Sequence, residues 1–187
     1  MNSIVSIPYY WWDSAISPEV CEGIIEEGNR LKLKTAGIKD DKTIKKETRT
    51  TEVGFFDDEH YIEGVCKHFI TLANKGANWN FDLNSNELVQ FGKYMPGSFY
   101  LEHRDSDVET FSNRKLSISV QLSAGNRYSG GDFRMRNLYG ESLDLPKGLR
   151  NQGSVIVFPS ILLHEVTKVR AGARYSLVQW HSGPEFK

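Results

Sequence analysis

The sequence predicts an α+β fold, with helices packed on one outer face of an antiparallel sandwich or jelly roll. Three observations carry this expectation. Two stretches before residue 76 repeat apolar residues at three- and four-residue spacing. From Leu88 onward the texture changes to short strand-like runs with period-2 alternation and glycine turns. The strands and helices do not alternate in the βαβ rhythm of a parallel sheet.

The elements follow in order. Ser17-Pro18-Glu19 is a helix start: a hydroxyl N-cap, a proline at the first helical position and a carboxylate near the positive end of the dipole. Val20, Ile24 and Leu31, joined by Cys21 and Ile25, make its expected apolar face. A second helix is expected to open at Asp57-Asp58-Glu59. Its stripe is Ile62, Val65, Cys66, Phe69, Ile70 and Ala73, and Gly76 lies near its end. Leu116, Ile118, Val120 and Leu122 then alternate with Ser117, Ser119, Gln121 and Ser123, giving a strand with one apolar and one polar face. Ser129-Gly130-Gly131-Asp132 is turn chemistry, followed by Phe133 and Met135 in alternation. Gly153 to Pro159 reads as a buried strand ended by proline, and Ala173 to Trp180 as the last strand. We expect one domain over residues 1–187, with helices over about 17–75 and the strand core over about 86–182.

Composition limits the function classes. With 187 residues, 39% hydrophobic and 25% charged, the chain can bury a real core. A net charge of −1 argues against whole-molecule electrostatic binding of nucleic acid. Cys21 and Cys66 fall in helical patterns, where buried free thiols are expected and no disulfide framework is indicated. Residues Met1 to Pro8 lack a charged region followed by a long apolar run, so no signal peptide is expected. No stretch is long and apolar enough to span a membrane. The expectation is a cytoplasmic protein without a membrane partner. Between the helices, Arg30 to Arg49 holds eight Lys/Arg against three acids. Such a run is ordinarily a solvated loop; its functional reading is a flap over an active site that favours acidic substrates.

The chemistry centres on His103-Arg104-Asp105, with His164 59 residues after Asp105 and Arg174 beyond it. In an extended strand, residues i and i+2 point to the same side, so His103 and Asp105 can bite one metal. His164 must then come from a distant strand. Two imidazoles and one carboxylate occupy one face of a metal and leave the opposite face open. The His-x-Asp pair alone is a short pattern with many false matches. His60, His68 and His181 read as packed or surface residues, the last just past the final strand. Arg174 adds specificity. By period 2 it shares a face with Ser176, Val178 and Trp180, and its planar fork matches a carboxylate. A buried arginine without an anion is costly, so a bound carboxylate or an internal acid is implied, unless Arg174 points outward to a surface glutamate. Ser117, Ser119 and Gln121 would line an interior pocket if their apolar alternates pack on the helices, and would otherwise face solvent.

Taken together, six segments carry a resemblance: Tyr94 to Asp105, Leu116 to Ser123, Tyr128 to Phe133, Gly153 to Ser160, His164 to Val166 and Gly172 to Trp180. In their order and spacing the chain resembles the Fe(II)/2-oxoglutarate-dependent dioxygenases, and among them the prolyl 4-hydroxylase-like group. The resemblance implies a double-stranded β-helix (jelly-roll) core with supporting helices. It implies Fe(II) held by His103, Asp105 and His164. It implies 2-oxoglutarate on the iron, with its distal carboxylate on Arg174 and with Tyr94 and Ser176 assisting. Many similar prolyl hydroxylases carry lysine where this chain has Arg174. Tyr100, Arg114 and Trp180 fall where such enzymes face their substrates. The implied reaction consumes O2 and 2-oxoglutarate, hydroxylates proline in a peptide or protein, and releases succinate and CO2, with ascorbate as an accessory cofactor. The alternatives are hydroxylation of a small molecule or nucleobase, a cupin-like metalloenzyme of another reaction type such as a zinc enzyme, and a non-enzymatic jelly-roll module. A nucleic-acid partner would rest on the Arg30–Arg49 segment alone.

Overall fold

A computed structural model describes residues 7–36, 38–40, 43–45, 48–106 and 113–184. Its largest element is an eight-stranded antiparallel sheet. Across it the strands run Tyr10–Trp12, Val155–Pro159, Arg114–Gln121, Arg174–Ser182, Gln90–Tyr94, Glu52–Phe55 and Lys34–Thr35, with Ser85–Asn86 pairing the end of the Arg174 strand. Facing it is a three-stranded sheet, Phe133–Met135, His164–Val166 and Tyr100–His103. A two-stranded pair, Tyr128–Gly130 with Val169–Gly172, extends the closure.

Two helices, α1 (Pro18–Arg30) and α2 (Tyr61–Gly76), cover one face of the large sheet. Leu116, Ile118, Val120 and Leu122 are all fully buried, in one cluster with Ile24, Ile62, Cys66 and Ile70. Each such aliphatic side chain contributes about 1.5–3 kcal/mol on burial. The opposite face of the same strands meets the small sheet and carries the polar residues.

The first helix starts as expected, with Ser17 Oγ accepting from the Val20 amide and Pro18 at the first position. Its apolar face is rotated from the expected one. Val20 is 41% exposed, Ile25 and Leu31 are only partly buried, and the buried stripe is Cys21, Ile24 and Gly28. The reason is Gly28: a Cβ there would lie 2.4 Å from the Phe91 ring, so the helix docks through its glycine. The second helix opens at Tyr61 rather than at Asp57. His60 caps it, with Nδ1 accepting from the Ile62 amide at 3.3 Å while Nε2 faces Glu27 at 2.9 Å. Asp57 instead closes a turn, its carbonyl accepting from the His60 amide.

The last strand runs on to Ser182, so His181 lies within it and not beyond it. The ring is buried against Gln179 and remains a structural residue. Ser129 and Gly130 belong to a strand whose register shifts between them, and Gly130 and Gly131 both adopt positive φ. A Cβ on Gly130 would meet the Lys168 carbonyl at 2.1 Å, which makes this position glycine-specific. Part of the basic Arg30–Arg49 segment is strand: Lys34–Thr35 pairs with the Glu52 strand, and Ile38–Asp40 pairs with Thr43–Lys45. The side chains of 37–47, and with them much of the flap expectation, lie outside the described residues. Cys21 and Cys66 are free buried thiols. No helix among the described residues is long and apolar enough to cross a membrane.

Candidate metal and carboxylate site

The small sheet brings the triad together. His164 stands directly opposite His103 in the antiparallel register of their strands. Asp105 lies past the strand end, not in a straight extension of it. The chain bends there because the Asp105 and Ser106 amides both donate to the Ser160 carbonyl, at 3.0 Å each. The bend, rather than strand periodicity, turns the carboxylate back toward the rings. One ligand atom from each of His103, Asp105 and His164 lies within 4.8 Å of the others. His103 Nε2 is 3.5 Å from Asp105 Oδ1, and His164 Nε2 is 3.4 Å from Asp105 Oδ2.

The surroundings prepare these groups as ligands. His103 Nδ1 lies 2.8 Å from the Leu101 carbonyl, and His164 Nδ1 lies 3.0 Å from the Leu162 carbonyl. A carbonyl only accepts, so each Nδ1 carries the proton and each Nε2 lone pair is free for a metal. Ser117 Oγ donates to Asp105 Oδ2 at 2.7 Å and lies 2.9 Å from Ser160 Oγ. Burial pushes the Asp105 carboxyl up, but His164, His103 and the Ser117 hydroxyl outweigh it and hold the group well below the usual carboxylate range. Burial pushes His164 down to about 4, against the opposing pull of Asp105. An anionic carboxylate and a neutral imidazole are the forms that bind a metal. The donor set, three ligands on one side with the other side open, fits a catalytic divalent metal better than a closed structural one.

The second half of the site lies on the last strand. Arg174 is 3% exposed, pairs in register with Tyr94, and has its guanidinium 5.2 Å from the Tyr94 ring centroid. Its Nη1 donates to Ser176 Oγ at 3.3 Å. Among the described residues it forms no salt bridge, so neither the internal acid nor the outward-facing alternative applies. Gly131, with φ of 63°, passes over it, and a Cβ there would sit 3.1 Å from Arg174 Cδ. Arg174, Ser176, Tyr94, Val178 and Trp180 line one small cavity with His103, Asp105 and His164. A larger cavity of about 410 Å³, lined by Gln121, Tyr128 and Arg150 among others, shares Ser119, Phe133 and Arg174 with it. Size does not select the reactive site here; the ligand atoms do. The polar face of the central strand is interior, not solvated: Ser117 and Gln121 are buried, and Ser119 is half-buried where it lines both cavities.

The three residues expected to face substrate are placed unequally. Tyr100 lines the small cavity and stacks on His103, with ring centroids 3.5 Å apart and planes at 14°. Burial pushes its hydroxyl up to about 12, with Arg49 pulling the other way. Trp180 lines the same cavity, and its Nε1 is buried without a hydrogen-bond partner. Arg114 is held by both Glu87 oxygens, at 2.5 and 2.6 Å, and stacks 4.1 Å from the Trp180 ring. It also donates to the Asp105 carbonyl at 3.2 Å. Arg114 therefore braces Trp180 and the bend at Asp105. Sequence reasoning missed the Ser117 and Ser160 support of Asp105, the Glu87 clamp, and Arg49, which lines the cavity. For Arg49 the only sequence signal was its place at the end of a basic run.

The model of the 2OG-Fe(II) oxygenase superfamily matches residues 89–182. A PKHD-type hydroxylase of Stenotrophomonas maltophilia is 35% identical over 97 residues, covering 49% of this chain and 41% of that protein. One from Prochlorococcus marinus is 31% identical over 92 residues, with 49% and 40% covered. The chain thus spans about two fifths of the length of these curated relatives. A prolyl-4-hydroxylase of Pseudomonas putida superposes with a TM-score of 0.74 at 20% identity, covering 97% of this chain and 95% of that one. The viral collagen prolyl hydroxylase of Paramecium bursaria Chlorella virus-1, as its 2-oxoglutarate complex, gives 0.68 at 21% identity, with 96% and 98% covered. At these identities the likeness is one of fold, and the fold is the expected jelly roll with supporting helices.

Proposed function

Since the chain belongs to the 2OG-Fe(II) oxygenase superfamily, we propose that it is an iron-dependent, 2-oxoglutarate-consuming hydroxylase acting on proline in a peptide or protein. The observation that carries this reading is the pairing, in one cavity, of an open two-histidine, one-carboxylate triad with a buried guanidinium that forms no salt bridge among the described residues. A zinc hydrolase or isomerase would use the triad but has no need of Arg174. The prolyl reading draws its support from the solved structures that share the fold, which are prolyl hydroxylases by name.

In this reading His103, Asp105 and His164 hold Fe(II). With 2-oxoglutarate and O2, bound iron supplies the oxidising power: the cosubstrate becomes succinate and CO2, and a substrate C–H becomes C–OH. The chain's own residues provide the rest. Arg174 grips the distal carboxylate of 2-oxoglutarate, with Ser176 as a hydroxyl partner and Tyr94 flanking the guanidinium. Ser117 and the Arg114 contact to the Asp105 carbonyl fix the carboxylate ligand. Phe133, Phe158 and Val166 wall the cavity and limit water. Tyr100 packs on His103 and holds its ring. The free thiols fit a reducing compartment such as the cytoplasm: burial pushes Cys21 up to about 11 and Cys66 up to about 12, which makes both unreactive.

Calorimetry on anaerobic, Fe(II)-loaded protein tests the proposal. Stoichiometric binding of 2-oxoglutarate, and succinate release that requires iron, are expected. Failure of the loaded protein to bind 2-oxoglutarate would refute it.

A further inference from the structure

Arg49 is a second buried guanidinium in the cavity, and neither the triad nor the cosubstrate uses it. The segment around it runs along the small sheet: the Leu101 amide donates to the Thr48 carbonyl, the Thr50 amide donates to Phe99, and Arg49 bridges Tyr100. This places the Arg49 guanidinium 4.4 Å from the Tyr100 ring centroid, and Tyr100 in turn stacks on His103. Arg49 is 9% exposed, and its Nε is buried without a hydrogen-bond partner. Among the described residues it forms no salt bridge. An unpaired buried cation is costly, so its persistence beside a metal site calls for a ligand.

A charge count indicates which ligand. Among the described residues, the charged side chains lining this cavity are Arg49, Arg174 and Asp105. A divalent metal and the 2-oxoglutarate dianion cancel each other. What is left is one positive charge. Both cosubstrate carboxylates are already spoken for, one by the metal and one by Arg174. The indole N–H of Trp180 is a further buried donor without a partner in the same cavity. The geometry points to Arg49 as the residue that selects a substrate bearing a carboxylate close to the hydroxylated carbon, such as an acidic residue or a free carboxyl end beside the target. This inference rests on the oxygenase reading and specifies its substrate class.

The test uses acetate and acetamide as probes on protein loaded with Mn(II) and saturating 2-oxoglutarate. Paramagnetic relaxation of the probe protons by the triad-bound Mn(II) reports weak binding near the metal. The wild type is expected to hold acetate about 30-fold more tightly than acetamide, with that preference lost in Arg49→Gln and kept in Arg49→Lys. Arg49→Gln should still bind 2-oxoglutarate within about twofold of wild type, and should melt no lower, because it removes an unpaired buried charge. Proline peptides made in pairs, glutamate against glutamine beside the proline, should show the same preference in succinate release. Equal binding of acetate and acetamide by the wild type would overturn the inference. So would an Arg49→Gln protein that loses 2-oxoglutarate as Arg174→Gln does, since Arg49 would then serve the cosubstrate. If wild type fails to bind 2-oxoglutarate at all, the oxygenase reading itself falls. Normal 2-oxoglutarate binding without acetate preference sinks only the role of Arg49.

Discussion

The two faces of the large sheet obey different physics although they belong to the same strands. On the helix side, Leu116, Ile118, Val120 and Leu177 meet α1 and α2 in a dry core. On the interior side, the alternate residues Ser117, Gln121, Arg174 and Ser176 are also buried but polar or charged. The first face gains stability from every atom it buries. The second buries groups that an apolar core would exclude, and it lines a cavity with them. The contrast teaches that burial alone does not identify core: a buried polar face aimed at open space is a binding surface held up by the apolar face behind it.

The largest effect should come from the helix side. Ile118→Ala is expected to destabilise the fold by about 2–5 kcal/mol, through lost transfer energy and a cavity. Denaturant unfolding measures this, and 2-oxoglutarate affinity of the folded protein should be little changed. Arg174→Ala reverses that pattern. It should weaken 2-oxoglutarate by about 30-fold or more in calorimetry while iron binding survives and the melting temperature does not fall. Equal loss of iron and cosubstrate would make Arg174 structural and dissolve the comparison.

A smaller change is expected from Ser117→Ala. It removes one hydrogen bond to Asp105, worth about 1 kcal/mol, so metal affinity should drop several-fold with little change in fold stability. The smallest and most diagnostic effect is a pH slope. His164 on the small sheet that faces the interior side and His181 on the helix-side face are both pushed down to about 4 by burial, and Lys67 lowers His181 further. The folded chain keeps these rings neutral where the unfolded chain, with pKa about 6.5, takes up protons. Their contribution is therefore present above about pH 6.5 and is lost as pH falls toward 4. Thermal melts across that range should show the decline. His181→Gln should flatten it and leave 2-oxoglutarate binding untouched. A slope unaffected by His181→Gln would place the whole effect at the metal site.

Much of this was readable before any coordinates. The period-2 strand of Leu116 to Leu122, the Ser17-Pro18 helix start and the His103–Asp105 pair follow from local rules of spacing and side-chain chemistry, whereas His164 and Arg174 were joined to that pair by the order and spacing of motifs shared with the oxygenases that the chain resembles. Where expectations failed, a distant contact had intervened. The rotation of α1 that exposes Val20 comes from Gly28 meeting Phe91 across the core. The late start of α2 comes from His60, whose ring is oriented by Glu27 on another helix.

The sequence by itself determined the alternation that separates core from cavity and the donor types that can hold a metal and a carboxylate. Periodicity and ligand chemistry are properties of near neighbours, so they survive without coordinates. Only the tertiary structure decided that Asp105 turns toward the rings through Ser160, that Arg114 is clamped by Glu87, and that Arg49 from a basic run enters the cavity over Tyr100. Each joins residues far apart in the chain, and no local pattern specifies which distant partner closes a bend or shares a buried charge.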